Sequence, residues 1–357
     1  MYLSNSTPIP AATALGQIDE TAPTVCQVTA KATFNFDAAG RVSLETQHPY
    51  PLFDKDEETA LGLLPSDALP HPAGTFSVIA AAAAHSPDET EEIAVALTVG
   101  EVSKRLRVIG DRHWLENGKM SRPEPFRTMP ITYERAFGGT VDVLLDEGSP
   151  LPLSWPYNPK GRGFHPGGEL TNIKNTIYCA PGYPRLPSDF RHLLPNIELP
   201  HAPITSPEDR PLPAGFGAVP PGSPLYMIPW LQRKNNASNG KDPMEQIDDL
   251  LAEGAQMTIP RETLFRCHPD WRIAPPEPNA IVKMMNLTPE GHIAFPLPRL
   301  TVSIDFCIGK KTGARPLVPF MLVFLPEEKQ FYIVYRDTFM FEASARDERS
   351  LRLNVAL

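Results

Sequence analysis

From Cys26 to Phe36 apolar and polar side chains alternate, with Cys26, Val28, Ala30, Ala32, Phe34 and Phe36 separated by Gln27, Thr29, Lys31, Thr33 and Asn35. Successive residues of a strand face opposite ways, so this period of two predicts a half-buried strand. Asp37-Ala38-Ala39-Gly40 supplies a turn and Val42 and Leu44 resume the alternation, so Thr24 to Glu45 reads as a β-hairpin. A second group of strands follows Pro72: Thr75 to Ala83, then Ile93, Val95, Leu97 and Val99, then Leu106 and Val108 beyond a turn at Gly100. A third group begins at Ile281 to Leu287, continues through Leu300, Val302, Ile304, Phe306 and Ile308, and ends with Leu317 to Leu325 and Phe331 to Tyr335. The pattern predicts a mainly β protein of two antiparallel modules, sandwich- or barrel-like: an N-terminal one over 24–122 and a C-terminal one over 281–357 that packs with the rest. Residues 1–23 are left as an N-terminal extension.

The centre, 123–280, reads differently. Turn dipeptides such as Asn158-Pro159, Pro166-Gly167, Pro181-Gly182 and Pro221-Gly222 punctuate it. Aromatic residues recur through it, among them Phe126, Tyr133, Phe137, Trp155, Tyr157, Phe164 and Trp230, and such side chains need a surface to pack against. An ordered, loop-rich layer draped over the β modules is expected. One short helix stands out at about 243–253. Asp242, Pro243 and Glu245 start it in the manner of a capping box, Met244, Ile247, Leu250 and Leu251 share a face that reads as core, and Gly254 can end it.

Composition agrees with few, short helices. The chain has 42 prolines in 357 residues, about twice ordinary usage, and each fixes φ and removes a backbone donor. A formal charge of −9 gives no general attraction to nucleic acid or to an anionic membrane surface. Lys104, Arg105 and Arg107 form the densest basic run and read as a solvated strand face. The first twenty residues lack the basic and continuous apolar segments of an export signal, and the longest apolar run, Val78 to Ala84, is far shorter than the roughly 20 residues that span a bilayer. A cytoplasmic location without membrane insertion is expected. Cys26, Cys179, Cys267 and Cys307 stand singly and read as reduced thiols.

Signatures of chemistry are missing. No GxSxG elbow, HExxH helix or GxxxxGK[ST] loop occurs, and the nine histidines show no HxH or HxxxH spacing. No catalytic residue, cofactor or metal is therefore assigned. Gly161-Arg162-Gly163-Phe164-His165-Pro166 departs from a dinucleotide loop, because proline takes the third glycine position and no βαβ pattern surrounds it. It is either a tight loop anchored by Phe164 or a mount that presents the Arg162 guanidinium to a carboxylate. Asp111, Arg112 and His113 at a strand end suit a turn cap better than an acid/base pair. Tyr133 to Gly139 is the densest polar and aromatic segment. It supports two readings: a pocket flanked by Glu134 and Arg135, or a strand ending in a turn with Arg135 paired internally.

Several segments, taken in order, resemble a bacterial family, the DUF family 2169. They are AKATFNF from Ala30, LRVIGDRHW from Leu106, PEPFRTMPITYERAFGG from Pro123, NPKGRGF from Asn158, LPNIE from Leu194 and PAGFGAVPPGSP from Pro213. The likeness covers about 24–230. FRCHPDW from Phe265 departs from it, and MMNLTPEGHIAFPLP from Met284 fits more loosely. The resemblance implies an accessory protein of the type VI secretion system, a cytoplasmic adaptor or chaperone. Such a protein would stabilise an effector bearing a PAAR-like domain and help load it onto a VgrG-type spike, without nucleotide hydrolysis. It carries over no catalytic residues, only scaffold or partner-binding positions: Arg135, Phe137, Gly138, Gly139, Asn158, Gly161, Arg162, Gly163 and Phe164. A passive binder of this kind would add a strand to a free edge or hold an extended segment in an aromatic-lined groove. The alternative is an enzyme or carbohydrate-binding β protein with Asp111, His113, Arg135 and Arg162 around a polar pocket.

Overall fold

The computed structural model describes residues 1–16, 23–68, 74–115, 117–144, 150–155, 157–164, 193–207, 209–219, 265–342 and 349–356. The expected helix at about 243–253 and Trp230 lie outside them. The described residues form a mainly β protein of several sheets, none closed into a barrel, with short 3-10 turns at Tyr133–Arg135, Pro269–Trp271 and Pro326–Glu328. Among them no helix is long and apolar enough to cross a membrane.

The largest sheet has seven strands. Its order is β17 (Arg272–Ile273), β7 (Phe76–Ala80), β22 (Val318–Leu325), β23 (Gln330–Phe341), β3 (Thr24–Phe36) and β2 (Ala11–Gly16), while β4 (Val42–Leu44) pairs the end of β3 that β2 does not reach. Only β7 and β22 run parallel; the other pairs are antiparallel. The second sheet runs β16 (Ile197–Glu198), β10 (Val102–Ile109), β9 (Glu92–Val99), β18 (Ile281–Met285) and β19 (His292–Pro296), antiparallel throughout. A four-stranded sheet orders β1 (Tyr2–Ser4), β24 (Arg349–Ala356), β20 (Thr301–Ile308) and β21 (Lys311–Pro316). Four strand pairs complete the described structure: β5 (Glu57–Thr59) with β6 (Gly62–Leu64), β8 (Ala83–Thr90) with β11 (Phe126–Pro130), β12 (Phe137–Gly138) with β15 (Arg162–Gly163), and β13 (Thr140–Leu144) with β14 (Pro150–Ser154).

The two large sheets meet through stacked rings. Phe295 of β19 lies 4.9 Å from Phe36 and 5.4 Å from Phe331, and Phe331 lies 5.1 Å from Phe34. All four are buried. Offset stacking at these separations adds to the area the rings remove from water.

Two expectations change here. Pattern reading assigns the strands to separate N-terminal and C-terminal groups, yet hydrogen bonds join the groups: β7 and β3 border β22 and β23 in one sheet, and β9 borders β18 in the next. Even residues 1–23 contribute, through β1 on β24 and β2 on β3. A period of two identifies a strand and its buried face but carries no information about which edge it pairs. The polar face of β3 is also covered. Thr29, Lys31 and Thr33 are buried beneath the segment that follows the hairpin, where Tyr50 N donates to Thr33 Oγ1 at 2.9 Å. Lys31 Nζ sits 2.6 Å from Asp67 Oδ2, donates to the Pro51 carbonyl at 2.7 Å, and stands 3.8 Å from the Phe53 ring centre and 4.4 Å from that of Tyr332. Burial lowers the Lys31 pKa to about 8, with Asp67 opposing the shift. Burying an ammonium on a strand is tolerable only with such a set of partners.

Candidate functional site

Four of the six segments that resemble the bacterial family, LRVIGDRHW, PEPFRTMPITYERAFGG, NPKGRGF and LPNIE, converge on one irregular knot, while AKATFNF lies in β3. Tyr133–Arg135 makes a single 3-10 turn, and the next residues, β12, pair in parallel with β15 in the register Phe137 to Arg162 and Gly138 to Gly163. Asn158 pins the two together. Its buried Nδ2 donates to the carbonyls of Tyr133 at 2.7 Å and Phe137 at 3.0 Å, and its own carbonyl accepts from Gly139 N at 2.9 Å and Gly161 N at 3.1 Å. Such an approach excludes side chains. Gly138 has φ +147°, and a Cβ there would run into the Asn158 carbonyl oxygen; Gly163 has φ +93°, and its Cβ would meet Pro195 Cδ at 2.7 Å. These are the left-handed and close-packed positions that glycine alone fills without strain.

Aromatic packing supports the knot. Trp155 meets Phe137 edge-on at 5.6 Å, Phe164 at 5.6 Å and Tyr157 at 5.5 Å. Phe137 joins Trp114, Leu194 and Ile204 in a small apolar cluster separate from the main core. Among the described residues Phe137, Trp155, Tyr157 and Phe164 of the centre thus pack partly against one another.

Charge gathers on the other side, around Asp111. Its Oδ1 accepts from Asn196 Nδ2 at 2.9 Å and pairs with the guanidiniums of Arg162 at 3.3 Å and Arg135 at 3.5 Å. Arg135 also donates to Asn196 Oδ1 at 3.1 Å, and Arg162 Nε donates to the Glu134 carbonyl at 3.1 Å. Burial lowers the Arg162 pKa, the neighbouring Arg135 charge lowers it further, and Asp111 opposes both. Arg112 turns inward instead and pairs with buried Glu198, which Arg107 also reaches at 3.4 Å. Burial raises the Glu198 pKa against the pull of the two guanidiniums.

All nine positions singled out from the sequence therefore meet in one place. Phe137, Gly138, Gly139 and Asn158 are buried there; Arg135, Gly161, Arg162, Gly163 and Phe164 are half-buried. Of the four residues in the polar-pocket alternative, Asp111, Arg135 and Arg162 converge but are engaged with one another. His113 is exposed, with its backbone N–H on Ser121 Oγ at 3.0 Å, and its ring makes no hydrogen bond or ion pair among the described residues.

A cleft of about 590 Å³ opens beside the knot. Leu61 and Leu63 of the β5–β6 hairpin form one wall, Ile131, Tyr133 and Glu134 another, and Ala218 contributes to the lining. Asp56 is fixed there by a two-pronged pair with Arg266, at 3.0 and 2.6 Å. Lys160 of the knot reaches Glu58 of the hairpin at 3.7 Å, and both side chains are largely exposed. Neither Asp111 nor Arg135 nor Arg162 lines the cleft. Among the described residues no group of three or more His, Cys, Asp or Glu side chains is arranged to hold a metal ion.

Sequence reasoning missed three contributors. The β5–β6 hairpin has no alternation to reveal it, and Gly62, at φ +114°, is its sole turn signal. Asn196 was hidden in the LPNIE segment although it joins Asp111 to the Ile109 carbonyl, which its Nδ2 meets at 2.9 Å. The basic run splits: Arg105 is exposed, whereas Lys104 points inward to His268 Nδ1 and Asp270 Oδ2, each at 2.9 Å. His268 in turn donates from Nε2 to the Pro213 carbonyl at 3.1 Å, which fixes the neutral ring with Nδ1 as acceptor. FRCHPDW, the segment least like the family, thus supplies the buried partner of a strand lysine.

Comparison with known proteins yields one match. The profile of a family described as "Uncharacterized protein conserved in bacteria (DUF2169)" matches residues 21–336. No curated protein and no solved structure matches the chain.

Proposed function

The chain belongs to the DUF2169 family, and on that premise we propose that it is a passive protein adaptor, a cytoplasmic chaperone of type VI secretion that holds an effector with a PAAR-like domain for delivery to a VgrG-type spike. The observation that carries this reading is the position of the cleft. It is bordered by Tyr133, Glu134 and Lys160, residues of the family-like segments, and by a two-stranded hairpin. A rigid knot on one side and a short hairpin on the other suit capture of an extended polypeptide, with Leu61, Leu63 and Ile131 offering apolar contact and Glu58, Glu134 and Lys160 a polar rim. The work required is binding alone, and a wall already held in place by the hydrogen bonds of Asn158 reduces what must be immobilised on association.

Co-expression with the effector encoded beside this protein tests the proposal. A stable complex is expected, together with a fall in effector abundance when the adaptor is deleted. Leu61→Asp, in the hairpin turn, is expected to weaken the complex while leaving the circular dichroism spectrum unchanged. Normal effector abundance with no complex on co-expression overturns the proposal, and an undiminished complex with L61D moves the contact away from the cleft.

A further inference from the structure

The five-stranded sheet has one face in the core and one in solvent, and the outer face carries an unusual distribution of charge. On the central strand β9 the outward residues are small, Ala94, Ala96 and Thr98, while Val95, Leu97 and Val99 point into the core. On either side stand long cations. Arg105 of β10 is paired in register with Ala96, and Lys283 of β18 with Thr98. Small side chains between long ones make a trough, seen as a groove of about 310 Å³ that His292 and Met285 also line. Strands two places apart are separated by about 10 Å, so the trough is wide enough for one extended chain between the two cations.

These cations differ from most basic side chains around them. Lys31, Lys104, Arg107, Arg112, Arg135, Arg162 and Arg266 are each in an ion pair, whereas among the described residues Arg105 and Lys283 are exposed and in none. The acids beside them do not neutralise the trough: Glu92 is engaged by Arg107, and Glu101 lies in the turn that follows β9. Two unpaired cations face the same groove in a protein whose formal charge is −9.

We propose that this trough is a second docking surface, which takes an acidic extended segment of a partner polypeptide with carboxylates directed to Arg105 and Lys283. It shares no lining residue with the cleft at the knot, so it does not depend on the function assigned to that cleft. The charge count favours a peptide over a nucleic acid. Two cations suit two carboxylates, whereas a phosphate backbone brings a charge at every nucleotide to a protein of net negative charge. The small apolar floor, Ala96 and Ala294 beside Met285, suits a peptide's backbone and β-carbons.

Fluorescence anisotropy on the full chain tests this with a short fluorescein-labelled peptide of alternating glutamate and threonine, its glutamine counterpart, and an oligothymidylate. Saturable, salt-sensitive binding of the glutamate peptide and none of the glutamine peptide is expected. R105E/K283E is expected to weaken binding at least about tenfold, since two attractions become repulsions. K310E/K311E, on the exposed end of another sheet, is expected to leave it unchanged. Should R105E/K283E misfold by circular dichroism, R105Q/K283Q serves in its place. Equal binding of the two peptides, binding undiminished in the charge variants, tighter binding of the oligothymidylate, or no saturable binding of the glutamate peptide overturns the proposal.

Discussion

The stacked phenylalanines between the large sheets and Asn158 at the centre of the knot are both buried, yet they hold the molecule by different physics. Phe34, Phe36, Phe295 and Phe331 form a dry contact with no polar atom to satisfy, and its strength follows the area removed from water. The knot packs backbone against backbone. There Asn158 satisfies four main-chain groups from two segments 20 or more residues apart, and glycine leaves the room for it. Hydrogen bonds of this kind contribute modestly when made and cost heavily when one partner is removed. A stacked ring therefore gives stability, while the knot gives a defined shape next to the cleft.

Four experiments break or sharpen that contrast. The largest effect is expected for Phe331→Ala, which deletes the ring that touches both Phe34 and Phe295; a loss of about 3–5 kcal/mol in urea unfolding is expected, typical of a buried phenylalanine. Asn158→Ala removes both side-chain donors and leaves the Tyr133 and Phe137 carbonyls without that partner. A loss of about 2–3 kcal/mol follows, with hydrogen exchange rising first in the knot and not in β3.

The third experiment uses pH, to which a phenylalanine stack is indifferent. Burial, and then the charge of Lys104, push the His268 pKa down to about 4 from an ordinary 6.5. The native state keeps the ring neutral while the unfolded chain takes up a proton, so this stabilisation is complete above pH 6.5 and is lost as pH falls towards about 4. At about 1.4 kcal/mol per unit of pKa, a loss of about 2–3 kcal/mol across that window is expected from this site, and the wild-type urea midpoint should fall more steeply than that of His268→Gln. Identical slopes would show that the ring is not held neutral. The smallest effect belongs to the exposed Lys160–Glu58 pair: Lys160→Met should change stability by less than about 0.5 kcal/mol, with any larger consequence confined to partner binding.

How legible the molecule was from its sequence depended on the same contrast. The alternation of Cys26 to Phe36 located β3 (Thr24–Phe36), and that of Leu300 to Ile308 located β20 (Thr301–Ile308), because a period of two is a local property of the chain. The knot was legible by another route. The nine positions came from the family resemblance, in two stretches, 135–139 and 158–164, that the structure sets side by side, although nothing in their spacing foretold that Asn158 would bond across to Tyr133. The lysines misled for a physical reason. Lys31 and Lys104 occupy strand positions where a cation reads as solvent-facing, and only distant segments, those carrying Asp67 and His268, make burial tolerable.

By itself the sequence determined that this is a mainly β protein with an irregular, glycine- and proline-rich centre, since side-chain alternation and the limits on φ act within a few residues. The tertiary structure decided the rest: that strands from both ends of the chain share sheets, that Lys104 turns in while Arg105 turns out, and that a hairpin without pattern walls the cleft. Those outcomes depend on which edges meet and which charges find partners, and both are settled between residues far apart in the chain.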